Sequence, residues 1–138
     1  MKNKKVAVTG GLGFIGSHLV SKLNEDNDIV IVDDQTSGNI KNLEGLDFTK
    51  IDTDFTDITQ AKLEMIFEDV DYVFHMAAMT SVLESVNNPL RSNEVNITGT
   101  LKVLEAAKNC EVKKLILSSS SAVYGETETV PISEKKSH

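Results

Sequence analysis

The chain has 138 residues, of which 40% are hydrophobic and 25% are charged, as in an ordinary soluble globular protein. Its formal net charge of −7, without a basic cluster, argues against nucleic acid or an anionic membrane as a partner. The single cysteine, Cys110, excludes an internal disulfide and a cysteine-based metal site. We therefore expect one cytoplasmic domain over residues 1–138, with neither a membrane span nor a metal.

Short apolar runs alternate with helical patterns along the chain, which predicts a parallel sheet with right-handed crossovers. The predicted strands are 4–9, 28–33, 48–52, 71–76 and 113–118. The predicted helices are 14–25, 57–68 and 88–109, with a helical turn near 39–44. This order predicts an α/β, Rossmann-like doubly wound sheet with strand order 3-2-1-4-5 and a topological switch between strands one and four.

The first strand ends in a cluster of glycines, after which the first helical pattern begins. Free N–H groups and the positive end of the helix dipole then point to one place, where a pyrophosphate can sit. Gly10 permits the tight turn, Gly13 leaves room for the phosphates, and Gly16 allows close packing of helix and strand. Taken alone, the pattern also fits a purely structural turn. The apolar face of this helix is predicted at Ile15, Leu19 and Leu23.

The second strand ends at Asp33, and an acid in this place accepts hydrogen bonds from the adenosine ribose in dinucleotide-binding units. The alternative is that Asp33 and Asp34 only cap a turn before Ser37 and Gly38. The order of strand, glycine loop, helix, strand and acid favours the ribose interpretation. The carboxylate also favours NAD over NADP, because it would repel a 2′-phosphate.

Four residues at or just after the ends of the third and fourth strands carry further interpretations. Asp54 either accepts a hydrogen bond from the adenine amino group or caps the helix expected near position 57. The small residues Ala77 and Ala78 would leave room for a cofactor lying against the backbone. We interpret His75, on a buried strand, as a packed and hydrogen-bonded residue and not as a catalyst.

The long helix is predicted to open with Asn88 as a polar cap and Pro89 in its first position. Gly99, in mid-helix, predicts the close approach of a neighbouring helix or of the strand beneath it. Asn96 lies on a face that we expect to look back at the site, its alternative being a solvated asparagine. The apolar face of the helix is predicted at Ile97, Leu101 and Leu104.

The fifth strand runs into four serines, residues 118–121, which are followed by Ala122, Val123, Tyr124 and Gly125. This is the carboxyl end of a strand beside the switch point, where reacting groups belong. Together with the earlier motifs, these residues resemble the extended short-chain dehydrogenase/reductase family, and within it the nucleotide-sugar epimerase branch. The motifs that carry the resemblance lie at 9–16, 33–43, 75–85, 96–101 and 118–134.

The resemblance implies that this chain is the NAD-binding part of an enzyme that epimerises a nucleotide sugar, most simply a UDP-sugar. It also implies a possible homodimer, because members of the family often dimerise. Bound NAD takes a hydride from a sugar carbon and returns it to the other face. The resemblance gives Ser120 the role of hydrogen-bonding the reacting hydroxyl. It implies that the cofactor is bound by Gly10, Gly13, Phe14, Ile15, Gly16, Asp33, Asp34, Ser37, Gly38, Asp54, Phe55, Met76, Ala77, Ala78, Thr80, Asn96 and Ser118.

Two further comparisons with the family define the expected chemistry. The related 4,6-dehydratases carry an acid and a base where this chain has Ser121 and Ala122, so an epimerase is favoured, while a reductase and a decarboxylase stay open. The family's proton-transferring tyrosine is followed four residues later by a lysine, whose charge lowers the tyrosine pKa. In this sequence the residues four beyond Tyr72 and Tyr124 are Met76 and Glu128.

In the family, the Tyr-x-x-x-Lys pair and the sugar-binding domain follow the segment that this chain resembles. We therefore expect a C-terminally incomplete sheet with strand 113–118 at its edge, a substrate domain outside this chain, and no activity of the chain alone. The competing hypothesis is a stand-alone NAD-binding sensor or regulatory module.

Overall fold

A five-stranded parallel sheet forms the centre of the computed structural model, which describes residues 1–126 and 130–134. The strands are β1 (Lys5–Thr9), β2 (Asp28–Asp33), β3 (Thr49–Asp52), β4 (Tyr72–His75) and β5 (Lys114–Leu117). Their spatial order is β3-β2-β1-β4-β5, and every neighbouring pair is parallel. The predicted fold class and strand order are confirmed, and β5 lies at the edge of this sheet.

The α-helices are α1 (Phe14–Leu23), α2 (Gln60–Phe67), α3 (Val82–Asn87), α4 (Pro89–Asn93) and α5 (Thr100–Asn109). A π-helical segment, Glu94–Gly99, joins α4 to α5, and 3-10 turns occupy Ile40–Leu43 and Ser121–Tyr124. The predicted helix over 88–109 is therefore helical along most of its length but changes its winding in the middle. No helix within the described residues is both long enough and apolar enough to cross a bilayer.

Side chains of the central strands alternate between two hydrophobic cores, one on each face of the sheet. The core on the α2 and α5 side contains Ala7, Val32, Phe55, Ile58, Leu63, Phe67, Val70, Val73, Val103, Ala106 and Ala107. The core on the α1 side contains Val6, Val8, Leu12, Val20, Ile29, Ile31 and Leu43. Because β1 supplies both cores, it is buried on its two faces, as the central strand of a doubly wound sheet must be.

The apolar faces predicted for two helices differ from the faces that the structure buries. Ile15 is 64% exposed, and α1 packs through Gly16, Ser17 and Val20, with Leu19 and Leu23 only partly buried. The predicted face of the long helix is also exposed, by 65% at Ile97, 56% at Leu101 and 43% at Leu104. Within the regular helix α5 the buried face is instead formed by Val103, Ala106 and Ala107, and Leu101 and Leu104 lie on a different face.

Helix starts differ from the predictions in three places. Helix α2 begins after Thr59, whose side chain accepts a hydrogen bond from Lys62 N, so the interpretation of Asp54 as its cap is wrong. Asn88 does precede Pro89 at the start of α4, but its side chain makes no capping hydrogen bond. Helix α3 was not predicted, although its cap, Ser81, accepts a hydrogen bond from Glu84 N in a familiar Ser-x-x-Glu pattern.

Candidate functional site

A cleft of about 500 Å³ opens at the carboxyl ends of the strands, beside the switch between β1 and β4. It brings together most of the predicted cofactor-binding residues, which come from five separate stretches of the chain. Those lining it are Gly10, Gly13, Phe14, Ile15, Gly16, Asp33, Asp34, Ser37, Asp54, Phe55, Met76, Ala77, Ala78, Thr80 and Ser118. This position is where open α/β sheets bind their ligands.

Two of the three predicted motif glycines, Gly10 and Gly16, are packed too tightly to carry a side chain. Gly10 has a φ of +67°, and a Cβ there would lie 2.8 Å from Ala77 Cα. A Cβ on Gly16 would lie 2.8 Å from Gly11 Cα and would clash with Gly10 O, so the first turn of helix α1 lies directly against the glycine turn that follows β1. A Cβ on Gly13 meets only Gly10 O, at 3.3 Å, which leaves the cleft side of this residue open.

Asp33 ties the end of β2 to the glycine turn. The residue is 6% exposed, and its Oδ2 accepts a hydrogen bond from Leu12 N at 2.9 Å while Oδ1 accepts one from Gln35 N at 2.8 Å. The neighbouring Asp34 accepts one from Thr36 N at 2.9 Å. Both acids therefore stabilise the turn after β2 and also line the cleft, and each Asp33 oxygen keeps acceptor capacity for a further donor.

Asp54 forms an ion pair across the cleft with Arg91 of α4. Its Oδ2 lies 2.5 Å from Arg91 Nη2, and its Oδ1 accepts a hydrogen bond from Thr56 N at 2.9 Å. Burial by itself would raise the pKa of Asp54. The hydrogen bonds from Thr56 and Arg91, together with the Arg91 charge, outweigh burial, so that the pKa lies below its ordinary value.

His75 is the centre of a hydrogen-bond chain behind the cleft. Thr9 Oγ1 accepts from Ala77 N at 3.2 Å, so its own proton is directed to His75 Nδ1, 2.6 Å away. On the other side, Thr100 Oγ1 donates to Asn96 O at 2.8 Å and accepts from His75 Nε2 at 3.0 Å. The chain is satisfied by the neutral imidazole protonated on Nε2.

Burial lowers the pKa of His75 to about 4, which favours this neutral form. The side chain is 2% exposed and is surrounded by the two threonine hydroxyls and the tilted Phe55 ring. The interpretation of His75 as a packed, hydrogen-bonded residue is confirmed.

Three predicted site residues do not line the cleft. Asn96 instead holds the loop after β4, since its Oδ1 accepts from Met79 N at 2.8 Å and its Nδ2 donates to Met79 O at 3.0 Å. Gly38 packs on Leu12, whose carbonyl carbon would lie 2.8 Å from an added Cβ. Ser120 is exposed and caps the turn at Ser121–Tyr124, with its Oγ accepting from Ala122 N at 3.2 Å.

We predicted that a helix or a strand approaches Gly99, but the residue that does so belongs to a loop. It is Phe55, in the loop after β3, and its Cβ would lie 3.2 Å from a Cβ on Gly99. This contact places the π-helical segment directly against the loop that carries Asp54.

Six residues that were not predicted also line the cleft: Thr36, Met79, Ser81, Glu84, Arg91 and Val95. The Ser-x-x-Glu spacing of Ser81 and Glu84 was a usable signal for a helix at this point. Arg91 and Val95 carry no local signal, because only the tertiary fold brings α4 and the π-helical segment to the cleft. Among the described residues, no three His, Cys, Asp or Glu side chains are grouped as a metal site requires.

Comparisons with known proteins agree with this geometry. The model of the NAD dependent epimerase/dehydratase family matches residues 6–138. A putative UDP-glucose 4-epimerase of Methanocaldococcus jannaschii is 39% identical over 94% of this chain and 42% of its own length. A UDP-N-acetylglucosamine 4-epimerase of Methanobrevibacter ruminantium, solved with UDP-N-acetylmuramic acid, shares 50% identity and a TM-score of 0.87, over 99% of this chain and 44% of that one.

A second solved structure is a UDP-glucose 4-epimerase of Stenotrophomonas maltophila with bound NAD and formylated UDP-arabinopyranose. It is 31% identical, with a TM-score of 0.82, over 98% of this chain and 42% of that one. The chain thus spans about two fifths of the length of most relatives that it matches.

Proposed function

Because this chain belongs to the NAD dependent epimerase/dehydratase family, we propose that it is the NAD-binding part of a nucleotide-sugar 4-epimerase, acting on UDP-sugars of the glucose and galactose type. The observation that carries the proposal is the cleft at the switch point, where the glycine turn and the Asp33 carboxylate meet. The substrate and the reaction are inferred from the relatives and from the motifs they share with this chain.

The described residues fit a dinucleotide along the cleft. We assign the pyrophosphate to the N-terminus of α1, where Gly13 has no side chain to exclude it. Asp33 would accept hydrogen bonds from the adenosine ribose, and Asp54 would accept one from the adenine amino group. Ala77 and Ala78 form a wall that a flat ring can approach closely.

The charge of the cleft favours NAD over NADP. Four acids line it, namely Asp33, Asp34, Asp54 and Glu84. Arg91 is the one cationic residue among the described lining residues, and it is already paired with Asp54. A 2′-phosphate next to the Asp33 carboxylate would therefore meet repulsion without a free positive partner.

NAD, when bound, supplies the hydride acceptor for oxidation of a sugar carbon. Within this chain, we propose that the Ser120 hydroxyl hydrogen-bonds the reacting sugar hydroxyl and that Ser118 lines the cofactor. The side chains of Ser121 and Ala122 cannot act as the general acid and base that eliminate water, which supports epimerisation over dehydration. The tyrosine and lysine that move the hydroxyl proton would come from sequence that corresponds to the rest of the relatives.

A chimera tests the proposal. This chain is joined to the complementary C-terminal part of the Methanobrevibacter ruminantium epimerase, with which it shares 50% identity, and is assayed for interconversion of UDP-glucose and UDP-galactose and of their N-acetyl forms. We expect turnover by the chimera, none by the unfused chain, and none by a chimera carrying Gly13→Val. Turnover by the unfused chain would refute the assignment of the proton-transferring pair to additional sequence.

The competing function is a stand-alone NAD-binding module without catalysis, favoured by the absence of Tyr-x-x-x-Lys from this sequence. It predicts that the chain binds NAD normally while the folded chimera stays inactive. We also propose a homodimer, because the apolar stripe at Ile97, Leu101 and Leu104 is exposed on one side of the molecule.

A further inference from the structure

The ion pair between Arg91 and Asp54 joins helix α4 to the loop after β3. Asp54 belongs to the loop after β3, whereas Arg91 belongs to α4, a five-residue helix that packs on α3 and the π-helical segment. The side chain of Arg91 is 40% exposed and that of Asp54 is 20% exposed, and both residues line the cleft. The pair therefore bridges the cleft at the end that lies beyond β2 and β3.

The pair also fixes how the Asp54 carboxylate is turned. Oδ1 is held by Thr56 N and Oδ2 by Arg91 Nη2, so each oxygen has one partner on the protein. A carboxylate oxygen accepts about two hydrogen bonds, which leaves one position free on each. Since an ionised carboxylate only accepts, the ligand group that it recognises must donate.

For a carboxylate that is held against the C6 substituent, this condition distinguishes adenine from hypoxanthine, whose own donor, N1–H, lies one ring position away. Adenine carries an exocyclic amino group at C6, whereas hypoxanthine carries a carbonyl oxygen there, which would face the carboxylate with like partial charge. The discrimination requires a carboxylate that cannot turn away, and the Arg91 contact supplies that restraint.

We propose that Arg91 is a positioning residue for base selection: it holds Asp54 in the orientation that accepts a hydrogen bond from the amino group of the bound base. The inference rests on the proposed NAD site. Without Arg91, Asp54 would keep only its bond from Thr56, and it would lose the positive partner that offsets the nearby charges of Asp34 and Glu84.

The test compares NAD with nicotinamide hypoxanthine dinucleotide by titration calorimetry. The proteins are the wild-type chain, Arg91→Met, Arg91→Lys, Asp54→Asn and the double variant Arg91→Met with Asp54→Asn. The matched control is Lys108→Met, which removes one positive charge from an exposed position on α5, away from the cleft. Urea midpoints of all the proteins verify that they are folded.

The wild type should prefer NAD, and Arg91→Met should lower that preference about tenfold, the size of a lost hydrogen bond to a charged group. Arg91→Lys should restore most of it, because the contact is a single N–O pair that a lysine amine can make. If Arg91 acts through Asp54, the double variant should be no less selective than Asp54→Asn alone. Lys108→Met should retain wild-type selectivity.

Three outcomes would overturn the role of Arg91 while leaving the NAD site intact. They are wild-type selectivity in Arg91→Met, additive losses of selectivity in the double variant, and no recovery of selectivity in Arg91→Lys. Equal binding of the two dinucleotides by the wild type would likewise overturn base selection alone. A folded wild-type chain that binds neither dinucleotide would overturn both this inference and the proposed function on which it rests.

Discussion

Replacing His75 by asparagine should remove a large part of the acid sensitivity of the fold. The native state holds the imidazole neutral, with its pKa lowered to about 4 by burial, whereas the unfolded chain leaves it at its ordinary value near 6.5. Between these two values the unfolded state binds a proton that the native state does not, so the free energy of unfolding falls as the pH falls. Above this window both states are neutral and the term vanishes.

The size of the effect follows from the two pKa values. Linkage over the interval from about pH 7 to about pH 5 gives a loss of about 2 kcal/mol from this one group. His75→Asn carries no titrating ring, so this part of the pH dependence should disappear. The variant should also be less stable at neutral pH by about 1–3 kcal/mol, because an asparagine cannot bond both Thr9 and Thr100 as His75 does.

Urea unfolding at the two pH values, for the wild type and the variant, measures both terms. His18→Asn is the matched control, since it removes an exposed histidine that bonds only the carbonyl of Phe14 within its own helix. The free energy of unfolding of this control should depend on pH as that of the wild type does. If the free energy of unfolding of His75→Asn depends on pH as strongly as that of the wild type, His75 is not the neutral centre of the hydrogen-bond chain, and the reasoning fails.

Three further predictions concern the cleft and the helices beside it. Gly13→Val should abolish NAD binding, as measured by calorimetry. It should change the urea midpoint little, because a Cβ at this position meets only Gly10 O. Unaltered NAD binding would mean that the turn holds no phosphate. Asp33→Asn should weaken NAD binding by about 1–3 kcal/mol and narrow the gap between NAD and NADP, and an unchanged gap would refute the ribose assignment. Leu101→Glu should convert a dimer into a monomer in light scattering, whereas a wild-type monomer would contradict the proposed homodimer.

The strand order and most of the cleft were predictable because they rest on local signals. A strand followed by glycines and a helix, and a second strand that ends in an acid, each specify their geometry within a few residues. Parallel strands then bring their carboxyl ends to one edge of the sheet. Asp33, Met76 and Ser118 therefore meet at the cleft although the sequence separates them widely.

The features that were not predicted depend on contacts between distant segments. Arg91 is an ordinary surface residue in the sequence, and only its reach to Asp54 gives it a place at the cleft. Asn96 does not line the cleft and uses its amide on the Met79 backbone, which no pattern along one helix can reveal. The long helix also buries Val103, Ala106 and Ala107 instead of Ile97 and Leu101, because its buried face is set by the packing of α5 against α2 and β4.

The central claim is that the cleft at the switch point is an NAD site, and titration of the folded chain with NAD and with NADP tests it most directly. Saturable binding at one site per chain, tighter for NAD than for NADP, is the predicted result. The absence of binding, or equal affinity for the two dinucleotides, would contradict the assignment of Asp33 and the glycine turn.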